Sequence, residues 1–151
     1  MIERLRDDDD ARACAAITAA SEPWTTLGRT FDQCLAAVSH PQRETYVARE
    51  NGAAAGFIVI NMLGAFTGYI QLVCVAPDAR GNGLGTRLVR FAEERILRET
   101  PNVFLCVSSF NPRARALYER LGYEAVGELR DYVMRGASEI LMRKTTGPLP
   151  V

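Results

Sequence analysis

Apolar residues recur along this chain at two spacings: every three to four residues in some segments, and in short continuous or alternating runs in others. Ile2 to Arg6 reads as a first strand. Asp7 to Asp10 then supplies an N-cap and first-turn negative charge for a helix ending near Ala20. Ser21 to Arg29, with Pro23, Trp24 and Gly28, breaks that pattern, and Phe31, Cys34, Leu35 and Val38 resume it as a second helix. Thr45 to Arg49 and Gly56 to Met62 predict an antiparallel pair across Asn51-Gly52, with Ala53 to Ala55 lengthening the turn beyond two residues. Tyr69 to Val75 and Val103 to Val107 are short, mostly apolar runs separated by a helix that carries Leu84, Leu88, Ala92 and Ile96, so they predict a β-α-β unit with parallel strands. A short helix follows with Ala114, Leu117, Tyr118 and Leu121 on one face. Tyr123 to Val133 and Glu139 to Arg143 then form a closing hairpin across Arg135-Gly136. The order is β-α-α-β-β-β-α-β-α-β-β, an α/β (α+β) chain with one domain over residues 1–144 and a proline-containing tail at 145–151.

The junction after Val75 carries candidate chemistry. Gly81, Gly83 and Gly85 let the backbone approach an anion and adopt positive φ, the next helix begins with unpaired N–H groups at a positive dipole end, and Arg80 adds a cation. Such a turn suits a phosphate. It is not a Walker A loop, because Gly85 is followed by Thr86-Arg87 rather than Lys-Ser/Thr. A dinucleotide fold is disfavoured as well, since no second mononucleotide half is apparent.

Arg80-x-x-Gly83-x-Gly85 after an apolar strand, followed by Asn111 and Ala114-x-x-Leu117-Tyr118-Glu119-x-x-Gly122-Tyr123, resembles the GNAT superfamily of acyl-CoA-dependent N-acetyltransferases, over about Tyr69 to Tyr123. The resemblance implies a mixed sheet whose two central parallel strands splay apart, here of seven strands flanked by four helices in the order read above. Acetyl-CoA is the implied cosubstrate, lying in the splay. The backbone of Val73, Cys74 and Val75 would pair with its pantetheine arm and supply oxyanion donors, while Arg80, Gly81, Asn82, Gly83, Leu84, Gly85 and Thr86 would hold the pyrophosphate. Asn111, suited by itself to cap the short helix, would also contact the pantetheine or order a water. Tyr118 would protonate the departing thiolate, although its spacing also fits a core tyrosine with a paired hydroxyl.

The general base is the gap in this pattern. Relatives that acetylate the N-terminal alanine of ribosomal proteins carry a glutamate on the fifth strand, five residues before the motif asparagine, where this chain has Cys106. Others place one on the fourth strand, where Tyr69 and Gln71 stand. The alternatives are an acceptor of low pKa, a water ordered by Gln71, Ser108 or Ser109, or a carboxylate arriving from elsewhere: Glu44, Asp131 or Glu139. Acceptor recognition falls to segments flanking the splay: Pro23 to Thr26, Gly64 to Gly68 and Asp131 to Ser138. Trp24 and Phe66 would make an apolar wall beside Gln71. Arg113, Arg115, Arg120 and Arg135 make a basic end suited to phosphates.

Bulk properties narrow the partners. Eighteen acidic and eighteen basic residues give zero formal net charge, which supplies no general attraction to nucleic acid or anionic membranes. No apolar run reaches the roughly 18 residues of a membrane span, and the acidic N-terminal segment is no signal peptide, so a cytoplasmic address is expected. Four dispersed cysteines and a single histidine make neither a disulfide framework nor a His-based zinc site, so no metal is expected. The expected partner is an amine, of a small molecule or a protein N-terminus, and the resemblance allows a homodimer. A non-catalytic acetyl-CoA-binding sensor is the alternative function.

Overall fold

A computed structural model describes residues 1–151. Its elements are β1 (Ile2–Arg4), α1 (Asp8–Ala19), α2 (Phe31–Val38), β2 (Glu44–Glu50), β3 (Ala53–Asn61), β4 (Tyr69–Val75), α3 (Leu84–Leu97), β5 (Asn102–Ser108), α4 (Pro112–Arg120), β6 (Glu124–Arg130) and β7 (Ser138–Thr145), with a 3₁₀ turn at Pro77–Ala79. One seven-stranded sheet runs in the order β1-β2-β3-β4-β5-β7-β6. Only β4 and β5 are parallel.

Asp7 caps α1 by accepting from the Asp10 amide at 2.9 Å, and Thr30 and Gln33 form a reciprocal capping box on α2. These helices cover one face of the sheet, packing Ala11, Cys14 and Val38 against Phe57 and Val59. The opposite face receives α3 through Leu84, Leu88, Val89, Ala92 and Ile96, against Ile58 and Ile60. The run from Ala55 to Ile60 is therefore buried on both sides, as in strands sandwiched between helices. Glu93 on α3 is nearly sealed and fully engaged: it accepts from Lys144 Nζ at 2.9 Å and Tyr123 Oη at 3.2 Å, tying the helix to β7. No helix is long and apolar enough to cross a membrane.

The β2–β3 turn differs from the sequence reading. Glu50 pairs directly with Ala53, so the loop is Asn51-Gly52 alone, both at positive φ. The extra residue is absorbed within β3 as a bulge at Ala55. The last hairpin is also shorter on its first arm: Asp131, at φ 54°, ends β6 before Tyr132. β7 runs through Thr145, one residue into the expected tail.

Candidate active site

Two features of β4 build the site. Toward β3 it is paired along its length, but Gln71 is an extra residue in that ladder, between the pairs Val59–Leu72 and Ile60–Ile70. Toward β5 it pairs only at Tyr69–Phe104 and Ile70–Leu105. Beyond Ile70 the two strands part. Leu72 to Val75 consequently expose an unpaired edge to a cleft of about 1550 Å³.

At the C-terminal end of β4 the chain enters the glycine turn. Gly81 and Gly83 adopt φ 85° and 76°, and a Cβ at either would meet nothing within 4 Å. Gly83 is the N-cap of α3 and gives it no side-chain cap, so the first-turn amides remain available. The turn fits a phosphate group, and the free β4 edge fits an extended amide-bearing chain. Arg80 is braced by donating from Nε to the Val75 carbonyl at 3.2 Å and from a terminal nitrogen to Ser21 Oγ at 3.0 Å. Gly81, Gly83, Gly85 and Thr86 line the cleft, whereas Asn82 does not. Leu84 reaches it too, yet its side chain belongs mainly to the core.

The wall opposite α3 comes from β5, α4 and β7. Asn111 caps α4 by accepting from the Ala114 amide at 3.3 Å and also lines the cleft. Tyr118 is buried, 7% exposed, yet reaches the cleft, and no hydrogen bond from within the chain holds its hydroxyl. Burial and the neighbouring Cys74 push its pKa above the ordinary phenol value. The hydroxyl is thus protonated at neutral pH with its proton uncommitted. Cys74 itself is pushed up to about 11 by burial, so it is a thiol. All four cysteines are free.

The three carboxylates left open by the sequence separate cleanly. Glu44 takes both hydrogen bonds of Arg95, at 2.9 and 2.8 Å, outside the cleft. Asp131 accepts from the Gly136 amide at 2.8 Å within its own turn. Glu139 lines the cleft, opposite Ser108 in the β5–β7 ladder and two pairs from Cys106, whose partner is Leu141. Half burial raises its pKa against the opposing effect of the Ser108 hydroxyl. Tyr69 and Cys106 face each other beside it, both raised first by burial. Ser109 is committed to Ser138, donating its amide to the Ser138 carbonyl at 2.8 Å and accepting at Oγ from the Ser138 amide at 3.1 Å. Choosing Glu139 over Glu44 and Asp131 requires the β5–β7 register, which periodicity does not supply.

At the other mouth, Trp24, Phe66 and Gln71 all line the cleft. Phe66 is half exposed and leans on Phe104, ring centroids 4.9 Å apart. Of the expected basic residues, Arg113 and Arg120 reach the cleft, Arg115 is taken by Glu119 at 2.9 Å, and Arg135 lies away. No group of three or more His, Cys, Asp or Glu residues could hold a metal.

A splayed parallel pair with a glycine turn leading into α3 is the architecture of acyl-CoA-binding transferases. Residues 8–123 match the Acetyltransferase (GNAT) family model, and the chain belongs to that family of acyl-CoA-dependent N-acetyltransferases. It is 31% identical over 150 residues to N-alpha-acetyltransferase RimI of Mycobacterium tuberculosis, covering 91% of this chain and 88% of the relative. With S-(2-succino)cysteine N-acetyltransferase of Bacillus subtilis it shares 33% identity, over 83% of this chain and 85% of the relative. An aminoglycoside 6'-N-acetyltransferase solved with coenzyme A superposes with a TM-score of 0.78, covering 100% of this chain and 99% of that one. That likeness, at 20% identity, concerns the fold.

Proposed function

We propose that the cleft transfers the acetyl group of acetyl-CoA directly to an α-amine, with Glu139 receiving the amine's proton and Tyr118 supplying a proton to the sulfur. The observation that carries this reading is the pair itself: a hydroxyl on α4 that no hydrogen bond from the chain holds and a cleft-facing carboxylate on β7, in the cleft into which β4 and β5 splay.

Bound acetyl-CoA supplies an acyl group on a thioester. The free edge of Val73, Cys74 and Val75 binds its amide-bearing arm, and the N–H groups there stabilise negative charge at the acyl oxygen. Gly81 to Thr86 hold the pyrophosphate, Asn82 and Leu84 by backbone alone, and braced Arg80 adds charge. The amine's nitrogen bonds to the acyl carbon as the carbon–sulfur bond breaks. One proton passes from nitrogen to Glu139 and one from Tyr118 Oη to sulfur, and solvent returns the balance. A raised carboxylate pKa improves the base at neutral pH, and a raised phenol pKa keeps the acid loaded.

An α-amine suits this site because, near pKa ~8, about one in ten molecules is neutral at pH 7, against about one in a few thousand for a lysine amine. The two sequence relatives are named for α-amine and amino-acid-derivative acetylation, which supports the same class. Whether the amine sits on a small molecule or a protein, the chemistry is shared. The free thiols suit a reducing cytoplasmic setting. A homodimer is compatible with β6, whose residues are exposed along an edge strand.

The test is free-thiol release from acetyl-CoA with a panel of α-amines and lysine-like amines. Release that requires an amine, fastest with α-amines, is the expected result. Acetyl-CoA binding without amine-dependent release from any member would favour the sensor reading instead.

A further inference from the structure

Beside the acceptor mouth the cleft opens into a recess of about 210 Å³ lined by His40, Gln42, Arg43, Asn61, Leu63 and Gly64. Arg43, Asn61, Leu63 and Gly64 line both spaces, so the recess is a branch of the cleft. Its polar groups have one character. The Asn61 side-chain oxygen is occupied by the Leu63 amide at 3.0 Å, which leaves its NH₂ group. His40 Nδ1 accepts from the Gln42 amide at 3.2 Å, which leaves Nε2–H. Arg43 Nε is buried and has no partner. Gln42 can turn its NH₂ inward, and no acidic residue lines the recess. A buried guanidinium nitrogen without an acceptor is costly unless something fills that role.

The recess also has a fixed place relative to the chemistry. Asn61 is the register partner of Tyr69, which lies two residues before the Gln71 bulge and beside the last β4–β5 pairs. Neighbouring strands are about 4.8 Å apart. An anionic group in the recess is therefore at least one strand spacing from an amine held at the splay.

We propose that this recess is an anion subsite for the acceptor, which is a primary amine bearing a carboxylate several bonds from its nitrogen, received by Arg43 with Asn61 and His40. The inference rests on the acetyl-transfer reading above and narrows its acceptor. A planar monoanion matches one guanidinium fork supplemented by neutral donors. The spacing favours an acidic side chain or a second-residue carboxylate over the carboxylate attached to the reacting amine's own α-carbon.

The test compares acceptors that differ only in this group, Gly-Glu-amide against Gly-Gln-amide, in wild type, Arg43→Gln and Arg43→Lys. Wild type is expected to favour the carboxylate in kcat/KM by about ten- to hundredfold. Arg43→Gln should erase the gap by lowering kcat/KM for the carboxylate acceptor, and Arg43→Lys should restore part of it. Equal kcat/KM for the two acceptors in wild type, or a gap that survives Arg43→Gln, overturns the proposal. If neither peptide turns over, glutarate is the probe. A glutarate-dependent rise in melting temperature in wild type, lost in Arg43→Gln, supports the subsite, and no rise in wild type overturns it. Failure of every amine in the broader panel would instead count against acetyl transfer, leaving the glutarate result to report on the recess alone.

Discussion

Glu139 sits directly opposite Ser108 in the β5–β7 ladder, at the stretch where β5 has already left β4. That placement puts a carboxylate on the wall of the splay although Cys106 stands at the fifth-strand position where the family resemblance implies a glutamate. The base can thus be supplied from β7. Its surroundings are the Tyr69 phenol from β4, the Cys106 thiol and Ser108 hydroxyl from β5, and the Tyr132 phenol of the closing hairpin, which acts on Tyr69.

Glu139→Gln should lower kcat by about 10²- to 10⁴-fold. The wild-type rate should rise with pH through a limb above the ordinary glutamate range, because burial raises this pKa and only the ionised form accepts a proton. The limb should keep its position when acceptors of different basicity are compared, and it should vanish in Glu139→Gln. Rate profiles across three amines check this. A limb that moves with each acceptor's own pKa would remove Glu139 from the mechanism.

Stability should respond to the same residue in the opposite sense. The pKa of Glu139 is raised in the folded state, so its contribution is fully present below the unfolded-state value and is lost as pH rises through the folded one. Glu139→Gln is therefore at least as stable as wild type at pH 8. Denaturant unfolding at pH 5 and pH 8 measures the difference, which should favour the variant more at pH 8.

Asp10 gives the reverse case. Burial would raise its pKa, but the hydrogen bonds from Arg49 and Arg6 and the Arg49 charge outweigh it and hold the carboxyl below the usual range. Its stability contribution is present above the unfolded pKa near ~3.9 and is lost as pH falls through the lower folded value. Asp10→Asn leaves the mostly covered Arg49 with Glu3, at 3.2 Å, as its remaining acidic partner. A loss of about 3 kcal/mol at pH 7 is expected, shrinking toward zero in acid. Urea titrations across pH 3 to 7 test it.

The pyrophosphate turn is best probed at Gly85. Gly83 is at φ 76°, where a β-branched residue strains the backbone regardless of ligand. A Cβ at Gly85 makes only ordinary contacts, 3.8 Å to Val75 and 3.9 Å to Leu117, both on the cleft wall. Gly85→Val should remain folded and lose the stabilisation by acetyl-CoA, which in wild type is about 2.7 kcal/mol at a hundredfold excess over Kd. An unchanged melting shift in the variant would relocate the cofactor.

Much of the fold was legible because local signals agreed with one another. The apolar run Tyr69 to Val75, the Asp7 cap and the helical spacing from Phe31 to Val38 coincide with the observed boundaries of β4, α1 and α2. The β2–β3 turn was misjudged because a bulge within β3 accommodates Ala55, and a bulge leaves no periodic mark. The glycine turn and Tyr118 could be found from motif spacing. The choice of Glu139 among the three candidate carboxylates, and the role of Arg43, could not, since these depend on strand register and on which neighbouring acceptors are already occupied.

Tyr118→Phe is the most direct test, because the account makes one unpartnered hydroxyl responsible for the departing sulfur's proton. The phenyl ring keeps its packing beside Tyr123, 6.0 Å between centroids, so stability and acetyl-CoA affinity should change little. With chemistry limiting, kcat should fall about 10²- to 10⁴-fold. A core tyrosine with a satisfied hydroxyl would instead lose about 1 kcal/mol of stability and keep its rate. Steady-state kinetics and denaturant unfolding on one preparation separate the two, and a kcat within about threefold of wild type would contradict the assignment of Tyr118 as the acid.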